Sequence, residues 1–475
     1  MSDNRDFFYI MDAIIIKNGI IVSSDREYKS DIYIENGRIK IIGEKISFSG
    51  IKTVDAKGLY VLPGAVDAHV HLQLPTPAGN SCDDFQSGSI AAIAGGTTSV
   101  IDFVTPFSGQ SLLQALKSRK QEAEKSYIDY SFHMSVTGWN DNTEKEIKAC
   151  IKEGINSFKI YLAYKGVIGI NDDVVVRLMD VISKNNALLT AHCENGDLIK
   201  FLQQSFLKNK KTSPLYHALS RPVEAEAEAV NRMISLAGVL NCPLYIVHVS
   251  SGAAMKIIQQ ARKSGQTVFA ETCPHYLLLT EEEYKKPSRE AISYILSPPL
   301  RTKKDQQNLW AALKNGRLDV VATDHCPFNN KGQKDIGIND FSKVPNGGNG
   351  LEERLSLLWH FGVRTGKISP SRFVELNCTN PAKIFGLYPQ KGSIETGADA
   401  DIILWNSDKI KVISAKTHHQ NCDTNIYEGI KVSGAPEKVF VKGQLVWDDD
   451  KFIKPSVTGM FLKRKGKVSD NSFRQ

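Results

Sequence analysis

The middle of the chain alternates short apolar runs with amphipathic stretches, a pattern that predicts strands and helices in turn. Helices are predicted near 84–94, 141–152, 171–185, 222–239, 252–264 and 303–315. Strands are predicted near 61–67, 97–104, 130–137, 155–162, 187–192, 243–249, 267–271 and 318–323. Eight strands alternating with helices favour a parallel (β/α)₈ TIM barrel. The alternative, a doubly wound open sheet, is disfavoured because no GxGxxG motif follows an early strand.

Both ends of the chain contain short apolar runs separated by turn residues. Residues 14–16 precede Asn18-Gly19, and residues 31–34 precede Asn36-Gly37. Asn and Gly tolerate positive φ, so both pairs predict β-hairpins. Residues 400–405 and 439–447 also resemble strands, the latter with a Lys-Gly turn. Neither end supplies enough strands for a core, so we expect one small β-sandwich built from both ends.

These patterns predict four segments along the chain. They are an N-terminal part of the sandwich at 1–60, a catalytic barrel at 61–385, a C-terminal part of the sandwich at 386–455, and a tail at 456–475.

Composition narrows the class of protein. The 475 residues are 41% hydrophobic and 23% charged, with a net charge of +7, which fits a globular protein. The one basic cluster, at 463–467, is expected to be a solvated terminus, so a nucleic-acid partner is disfavoured. No apolar run approaches about 18 residues, so no membrane span is expected. Eight cysteines without a CxxC pair and a poor signal peptide favour a cytoplasmic protein with reduced thiols.

Polar residues follow several of the apolar runs. His69 and His71 lie two apart on a predicted strand, so both imidazoles face the same side. His192, His248 and Asp324 each end another run. The carboxyl ends of barrel strands converge on one face, so these side chains together predict a metal site.

Lys159 lies inside the apolar run 155–162, where a buried ammonium is costly and cannot bind a metal. One interpretation is a lysine paired with a nearby carboxylate. The other is a desolvated lysine with a depressed pKa, whose neutral amine captures carbon dioxide. The resulting carbamate has two oxygens and could bridge two cations. The residues by themselves leave both interpretations open.

The HxH pair, strand lysine, two further histidines and aspartate resemble the amidohydrolase superfamily. Longer motifs resemble its dihydropyrimidinase and hydantoinase family over essentially the whole chain, in family order. These motifs are LPGAVDAHVHLQLP at 62–75, DDFQSGSIAAIAGGTTSVIDF at 83–103, SFKIYLAYKG at 157–166, AHCENGD at 191–197, VHVSS at 247–251, ETCPHYLLLT at 271–280, SPPLR at 297–301, TDHCPF at 323–328 and PNGGNGLEERL at 345–355.

The resemblance implies two divalent metal ions per subunit, with zinc the expected metal. It assigns the first ion to His69, His71, Lys159 and Asp324. It assigns the second ion to Lys159, His192 and His248. Lys159 would bridge both as N6-carboxylysine, formed with carbon dioxide. Asp324 would transfer the proton during catalysis, Tyr164 would donate a hydrogen bond to the substrate carbonyl, and Ser297 and Asn346 would hold the amide edge of the ring.

The resemblance also implies the reaction, which is opening of a dihydropyrimidine or a 5-substituted hydantoin to an N-carbamoyl amino acid. The enzyme would be a homotetramer acting on a small molecule. Dihydroorotase and allantoinase are the catalytic alternatives. Dihydroorotases carry an Arg two residues after HxH, whereas Leu72-Gln73 follows His71 here. A non-catalytic scaffold relative would lack the metal ligands, and every ligand position is filled.

Other polar residues near these motifs have ordinary interpretations. His275 and His325 need not bind metal. Cys326 is not needed as a nucleophile in a metal-dependent hydrolase. Glu194 is expected to position its neighbours.

Overall fold

The computed structural model describes residues 13–464 and contains a barrel of eight parallel strands with helices outside it. The barrel strands are Ala65–Val70, Thr97–Val104, Asp129–Ser135, Ser157–Tyr161, Leu188–His192, Leu244–Ile246, Val268–Thr272 and Val320–Val321. The first and last strands approach each other, since Val70 bridges to His325 and Thr323 Oγ1 donates to Asp67 at 2.7 Å. The (β/α)₈ prediction is therefore confirmed.

A helix lies at each of the six predicted amphipathic stretches, and further helices that were not predicted, such as Leu112–Ala123 and Gly196–Lys208, lie between them. Capping residues set several of the ends. In Phe85–Gly95, Asp84 accepts hydrogen bonds from the amides of Gln86 and Ser87, and Gly96 ends the helix at φ 87°. A positive φ at that position favours glycine. The α-helices are Phe85–Gly95, Leu112–Ala123, Thr143–Lys152, Asp172–Lys184, Gly196–Lys208, Leu215–Leu219, Val223–Leu240, Gly252–Lys263, Pro274–Leu278, Ser288–Ala291, Lys303–Lys314, Arg354–Leu358, Pro370–Val374 and Asn380–Ile384.

Short turns of tighter or wider helix complete the loops around the barrel. The 3₁₀ turns are Glu281–Lys285, Ile292–Tyr294, Lys334–Gly337 and Phe341–Lys343, and the π turns are Trp359–Val363 and Glu375–Thr379. Among residues 13–464, none of the helices combines the length and the apolar composition that a membrane span requires.

Strands from both chain ends form two further sheets, as the terminal patterns predicted. One sheet has the order Arg38–Gly43, Asp31–Glu35, Ile14–Lys17 and Lys52–Asp55. The other has the order Lys451–Phe452, Gln444–Asp448, Lys431–Val441, Ile402–Val412, Tyr60–Pro63, Ile20–Val22 and Glu27–Lys29. A small hairpin, Pro75–Thr76 with Gly79–Asn80, lies in the loop after the first barrel strand.

Two of the turn predictions are confirmed and one is wrong. The strands on either side of Asn36-Gly37 pair as a hairpin, and so do those on either side of Lys442-Gly443. Asn18-Gly19 instead joins strands of different sheets, since Ile14–Lys17 pairs with Asp31–Glu35 whereas Ile20–Val22 pairs with Glu27–Lys29. Asn18 has the expected positive φ of 66°, but the chain crosses between layers there.

Two other predictions need correction. The run 61–67 is not one strand, because Tyr60–Pro63 pairs with Ile402–Val412 and the barrel strand begins at Ala65. The basic cluster is not simply solvated either, because Arg464 is buried and its guanidinium donates to Ser157 Oγ at 2.8 Å. Two further lysines of that cluster, Lys465 and Lys467, lie outside the described residues.

A buried ion cluster joins the terminal sheets to the barrel. Lys391 Nζ lies 2.7 Å from Asp129, 2.9 Å from Asp399 and 2.8 Å from Asp401. Lys442 also reaches Asp129, at 2.6 Å. Asp129 begins a barrel strand, so these contacts fix the terminal sheets against the barrel.

Candidate metal centre and substrate pocket

His69, His71 and Asp324 meet at the carboxyl end of the barrel. His69 and His71 project from the same side of the first barrel strand and its extension, with their Nε2 atoms 3.2 Å apart. Asp324 Oδ1 lies 3.0 Å from His69 Nε2 and 3.3 Å from His71 Nε2. These atoms form a group that could hold one metal ion. The structure thus brings together three predicted ligands from opposite ends of the barrel sequence.

His192 and His248 form a second group beside the first. His192 Nδ1 and His248 Nε2 are 2.8 Å apart. The His248 ring lies 5.5 Å from the His69 ring, measured between centroids. The two pairs of imidazoles therefore share one site, as the positions at the ends of the strands predicted.

Lys159 lies in the same site with its side chain 1% exposed. Its Nζ is 4.8 Å from the centroid of Phe103, and that ring stacks on His71. Burial lowers the pKa of Lys159 to about 8, against the opposing charges of Asp324 and Glu271. Among residues 13–464, no carboxylate forms an ion pair with this amine. The carboxylate-paired interpretation of Lys159 therefore finds no partner in the described part of the chain.

Three residues of the site have a positive φ, which is unusual for residues other than glycine. The values are 59° for Tyr164, 40° for His248 and 52° for Asp324. Each lies where a barrel strand has ended and the chain turns over the barrel mouth. Such backbone strain persists where the surrounding structure enforces it, and it is concentrated at functional sites.

Buried carboxylates orient two of the imidazoles. Glu271 Oε1 lies 2.7 Å from His69 Nδ1. Glu194 Oε2 lies 2.9 Å from His192 Nε2 and 2.5 Å from Arg221. Each carboxylate contacts the ring nitrogen that faces away from the proposed metal, so it fixes both the tautomer and the ring orientation. The predicted positioning role of Glu194 is consistent with these contacts.

Glu271 and Arg221 were missed by the sequence reasoning. Glu271 lies near the end of the strand Val268–Thr272, in the same kind of position as the other site residues. That position was the signal that could have identified it. No local pattern marks Arg221, whose partner Glu194 is 27 residues away.

Burial favours neutral imidazoles at three of the four histidines. It lowers the pKa of His71 to about 4, and it lowers the pKa values of His192 and His248. Burial also acts on His69, but Asp324 and Glu271 outweigh it and raise the pKa of His69 to about 9. Neutral imidazole nitrogens and a carboxylate are the donors that zinc accepts, so this set of residues fits a divalent metal.

Tyr164, Ser297 and Asn346 lie together beside the histidines. Asn346 Nδ2 donates to Ser297 Oγ at 2.8 Å, and the Tyr164 ring is 5.5 Å from the His192 ring. Burial raises the pKa of Tyr164, while Arg221, Ser297 and Asn346 oppose that rise. The Tyr164 hydroxyl is therefore protonated at neutral pH and can donate a hydrogen bond.

Lys334, a further residue that the sequence reasoning missed, supports this pocket. Its side chain is 1% exposed, and its Nζ donates to Ile295 O at 3.2 Å and to Pro345 O at 3.3 Å. These carbonyls lie close in sequence to Ser297 and Asn346. Lys334 therefore joins the two loops that carry them, although the polar sequence around it predicts only a solvated loop.

The neighbouring residues that were not expected to bind metal have other contacts. His325 Nε2 lies 3.0 Å from Asp83, and the His275 ring packs against Tyr276 with centroids 4.2 Å apart. Cys326 is buried, and burial raises the pKa of its thiol well above its ordinary value. A thiol held in its protonated form is a poor nucleophile.

Comparison with known proteins identifies a family and close relatives that match most of this chain. The model of the "Amidohydrolase family" matches residues 60–446. The D-hydantoinase of Geobacillus stearothermophilus is 42% identical over 452 residues, 95% of this chain and 96% of that protein. The D-hydantoinase of Ralstonia pickettii is 42% identical over 453 residues, 95% of this chain and 99% of that protein.

A solved structure gives the same result for the fold. The crystal structure of dihydropyrimidinase from Brevibacillus agri has a TM-score of 0.94 and 41% sequence identity, covering 95% of this chain and 98% of that one. Similarity of this extent includes the barrel, the terminal sheets and the loops that carry the site. The chain therefore belongs to the amidohydrolase family, within the group formed by the D-hydantoinases and dihydropyrimidinases.

Proposed function

We propose that this chain is a metal-dependent cyclic amidase that opens 5,6-dihydropyrimidines, 5-substituted hydantoins or both to N-carbamoyl amino acids. The main support is the convergence of four imidazoles, Asp324 and the buried Lys159 on one barrel mouth, next to a protonated tyrosine hydroxyl. The hydantoinase relatives, matched over nearly their whole length, support the same reaction.

Two divalent ions, with zinc the expected metal, are proposed for this site. His69, His71 and Asp324 would hold the first, and His192 and His248 would hold the second. When bound, such ions make a water acidic enough to lose its proton near neutral pH and polarise the substrate carbonyl. His192 Nδ1 and His248 Nε2 are 2.8 Å apart, so both atoms could bind the same ion, which supports their assignment to the second ion.

Lys159 is proposed to be carboxylated and to contact both ions. Two neighbouring cations repel each other, and an unmodified ammonium between them would add a third positive charge. Burial lowers the pKa of Lys159 to about 8, so a useful fraction of the amine is neutral and able to react with carbon dioxide. The carbamate would supply a negative charge and two oxygens.

Asp324 and Tyr164 are proposed as the catalytic residues. Asp324 would accept the proton of the attacking water and return it to the ring nitrogen as the C–N bond breaks. Burial would raise the pKa of Asp324, but His69 and His71 hold it well below its usual value, so the carboxylate is ionised and available as a base. The Tyr164 hydroxyl would donate a hydrogen bond to the oxygen on which negative charge develops.

Ser297 and Asn346 are proposed to hold the amide edge of the substrate ring. Their mutual hydrogen bond and their position beside Tyr164 support this role. Gln73 occupies the place where a dihydroorotase has its Arg, so the pocket lacks the cation expected to bind a substrate carboxylate there. A neutral cyclic diamide is therefore the favoured substrate.

Steady-state turnover of dihydrouracil, 5-substituted hydantoins, dihydroorotate and allantoin tests the substrate class. We expect the neutral dihydropyrimidine or hydantoin to be opened with the highest kcat/KM. Faster opening of dihydroorotate or allantoin than of every other substrate would refute this assignment. Elemental analysis of the same protein should find about two divalent ions per chain.

We also propose assembly into a homotetramer and a cytoplasmic location. The family resemblance supports the tetramer, and the eight free cysteines are consistent with a reducing compartment. Analytical ultracentrifugation of the metal-loaded protein tests the first proposal, and fractionation of the source cells tests the second.

A further inference from the structure

We propose that Cys82 and Cys422 form an oxidation site at which a hydroperoxide closes a disulfide between two distant segments. Cys82 lies in the loop after the first barrel strand. Cys422 lies in the segment between the strands Ile402–Val412 and Lys431–Val441. The two residues are 340 positions apart in sequence, yet they line the same surface cavity of about 570 Å³.

Hydrogen bonds hold the two segments against each other at this point. Asn421 Nδ2 donates to Cys82 O at 3.1 Å, and the Asn421 amide donates to Asp83 at 2.8 Å. Both cysteines also contact the chain just after the catalytic loop, since the Cys82 amide donates to Pro327 O at 2.8 Å and the Cys422 thiol donates to Phe328 O at 3.4 Å. These contacts hold the two segments in register, and the two thiols are within hydrogen-bonding reach of each other.

Accessibility separates this pair from the other cysteines. Cys82 is partly exposed, while Cys422 is 9% exposed and lines the cavity. The remaining six thiols are all buried, and none of them lines this cavity. A small oxidant in solvent would therefore reach Cys82 and Cys422 first.

The pKa values of the two thiols shift in opposite directions, so Cys422 loses its proton more readily than Cys82. The Cys82 thiol interacts with Cys422, and this interaction holds the pKa of Cys422 below its ordinary value while it raises that of Cys82. The buried amine of Lys334 also interacts with both sulfurs. A thiol of lowered pKa next to a second thiol that can attack its sulfenic acid is the usual arrangement of a cysteine pair that reacts with peroxide.

The reaction balances with one hydroperoxide for each disulfide. The Cys422 thiol loses its proton, its sulfur attacks a peroxide oxygen, and the O–O bond breaks to leave Cys422 as a sulfenic acid. The released proton joins the leaving hydroxide or alkoxide, which departs as water or an alcohol. The Cys82 sulfur then attacks the Cys422 sulfur, the S–S bond forms, and the S–O bond breaks. The Cys82 proton leaves with the hydroxyl group as water, so two thiols are oxidised by two electrons and the peroxide is reduced.

The bridge would affect the part of the barrel mouth next to the catalytic aspartate. Asp83, which follows Cys82, lies 3.0 Å from His325, the residue after Asp324. Closing a disulfide across 340 residues also restricts the unfolded chain, which should raise the melting temperature. Oxidation would therefore stiffen this side of the site.

Hydrogen peroxide titration of the reduced, metal-loaded enzyme tests the proposal without relying on turnover. After oxidation, free thiols are alkylated in denaturant and the peptides are mapped by mass spectrometry without reduction. We expect the free thiols to fall from eight to six, a loss of two, with a cross-linked peptide containing Cys82 and Cys422. Dithiothreitol should restore all eight, and the oxidised enzyme should melt a few degrees higher.

Variants provide matched controls. Cys82→Ser and Cys422→Ser should each abolish the cross-link and the rise in melting temperature, whereas Cys242→Ser, at a buried site elsewhere, should retain both. If both cysteines of the oxidised wild-type enzyme still carry the alkyl label, the proposal is wrong. Cross-links that join Cys82 or Cys422 to any other cysteine would also overturn the proposal. Both of these outcomes are measured on the wild-type enzyme, so they do not depend on the folding of a variant.

Discussion

Glu271 Oε1 lies 2.7 Å from Nδ1 of His69, and both side chains are almost completely buried. The second oxygen of Glu271 accepts a hydrogen bond from the Tyr245 hydroxyl at 2.8 Å. The amide of His248 also donates to Glu271 Oε1, at 3.1 Å. These two anchors fix the carboxylate, and the carboxylate fixes the imidazole with its Nε2 atom directed at Asp324 and His71. Glu271 thus controls the orientation of a proposed metal ligand without contacting the metal.

The first prediction is that Glu271→Gln weakens the first metal site. The amide keeps the shape of the side chain but removes its negative charge, so it stabilises the metal-bound imidazole less well. We expect metal affinity to fall about 10- to 100-fold. Competition with a chelator measures this affinity, and Glu282→Gln, an exposed site, is the control. Unchanged affinity in a folded Glu271→Gln protein would contradict the orienting role.

The second prediction is that Lys159→Ala loses metal and activity while the fold remains. Metal and activity are lost because the carbamate is the proposed anion between the two ions. The fold remains because a single side chain at the barrel mouth contributes little to the hydrophobic core. Elemental analysis and circular dichroism measure the two effects. Lys148→Ala, on an exposed helix face, should retain both metal and activity.

Chemical rescue distinguishes the bridge from a merely structural lysine. A small carboxylic acid such as acetate could occupy the space left in Lys159→Ala and restore part of the turnover. The decisive observation is electron density at Lys159 in the metal-loaded enzyme. An unmodified amine in a fully active, metal-loaded protein would refute the carbamate.

The third prediction is that Tyr164→Phe lowers kcat by about 100-fold, because one hydrogen bond to the developing oxyanion is lost. KM should change much less, since this bond is strongest in the transition state. Metal content should stay at the wild-type level, and Tyr33→Phe in a terminal sheet should have no effect on kcat. An increase in KM alone would indicate a binding role instead.

The fourth prediction concerns pH and stability. Burial lowers the pKa of Lys334 from its ordinary value of 10.5 to about 7. Between these values the unfolded chain binds a proton that the folded chain does not, so stability rises with pH. Relative to Lys334→Met, the wild-type free energy of unfolding should increase by about 1.4 kcal/mol per pH unit above pH 7.

Denaturant unfolding of both proteins between pH 6 and 9 measures this difference. Below pH 7 Lys334 is charged in both states, so the difference should be nearly constant there. The thiols that interact with Lys334, those of Cys82, Cys326 and Cys422, are present in both proteins. A difference that is flat across pH 7 to 9, or that falls with pH, would show that the pKa of Lys334 is not depressed.

The sequence by itself determined the barrel, the terminal sheets and the positions of the proposed ligands. These features depend on local patterns. A parallel strand buried on both faces is an apolar run, residues two apart on a strand share a side, and a polar residue at the end of such a run lies at the barrel mouth. The sequence therefore predicts that His69 and His71 face one site at the carboxyl end of the barrel.

Only the tertiary structure decided which distant residues meet. Asn18 has the positive φ that its type predicts, but the path of the chain sends the next strand into another sheet. Lys334 and Arg464 lie in polar sequence, and yet both are buried. Loops cover Lys334, whereas Arg464 packs against the barrel strands that carry Phe132 and Ser157. The sequence around Cys82 and Cys422 likewise contains no motif that marks them as a pair. Their proximity arises from packing between segments 340 positions apart, and no local pattern of hydrophobic and polar residues encodes such a contact.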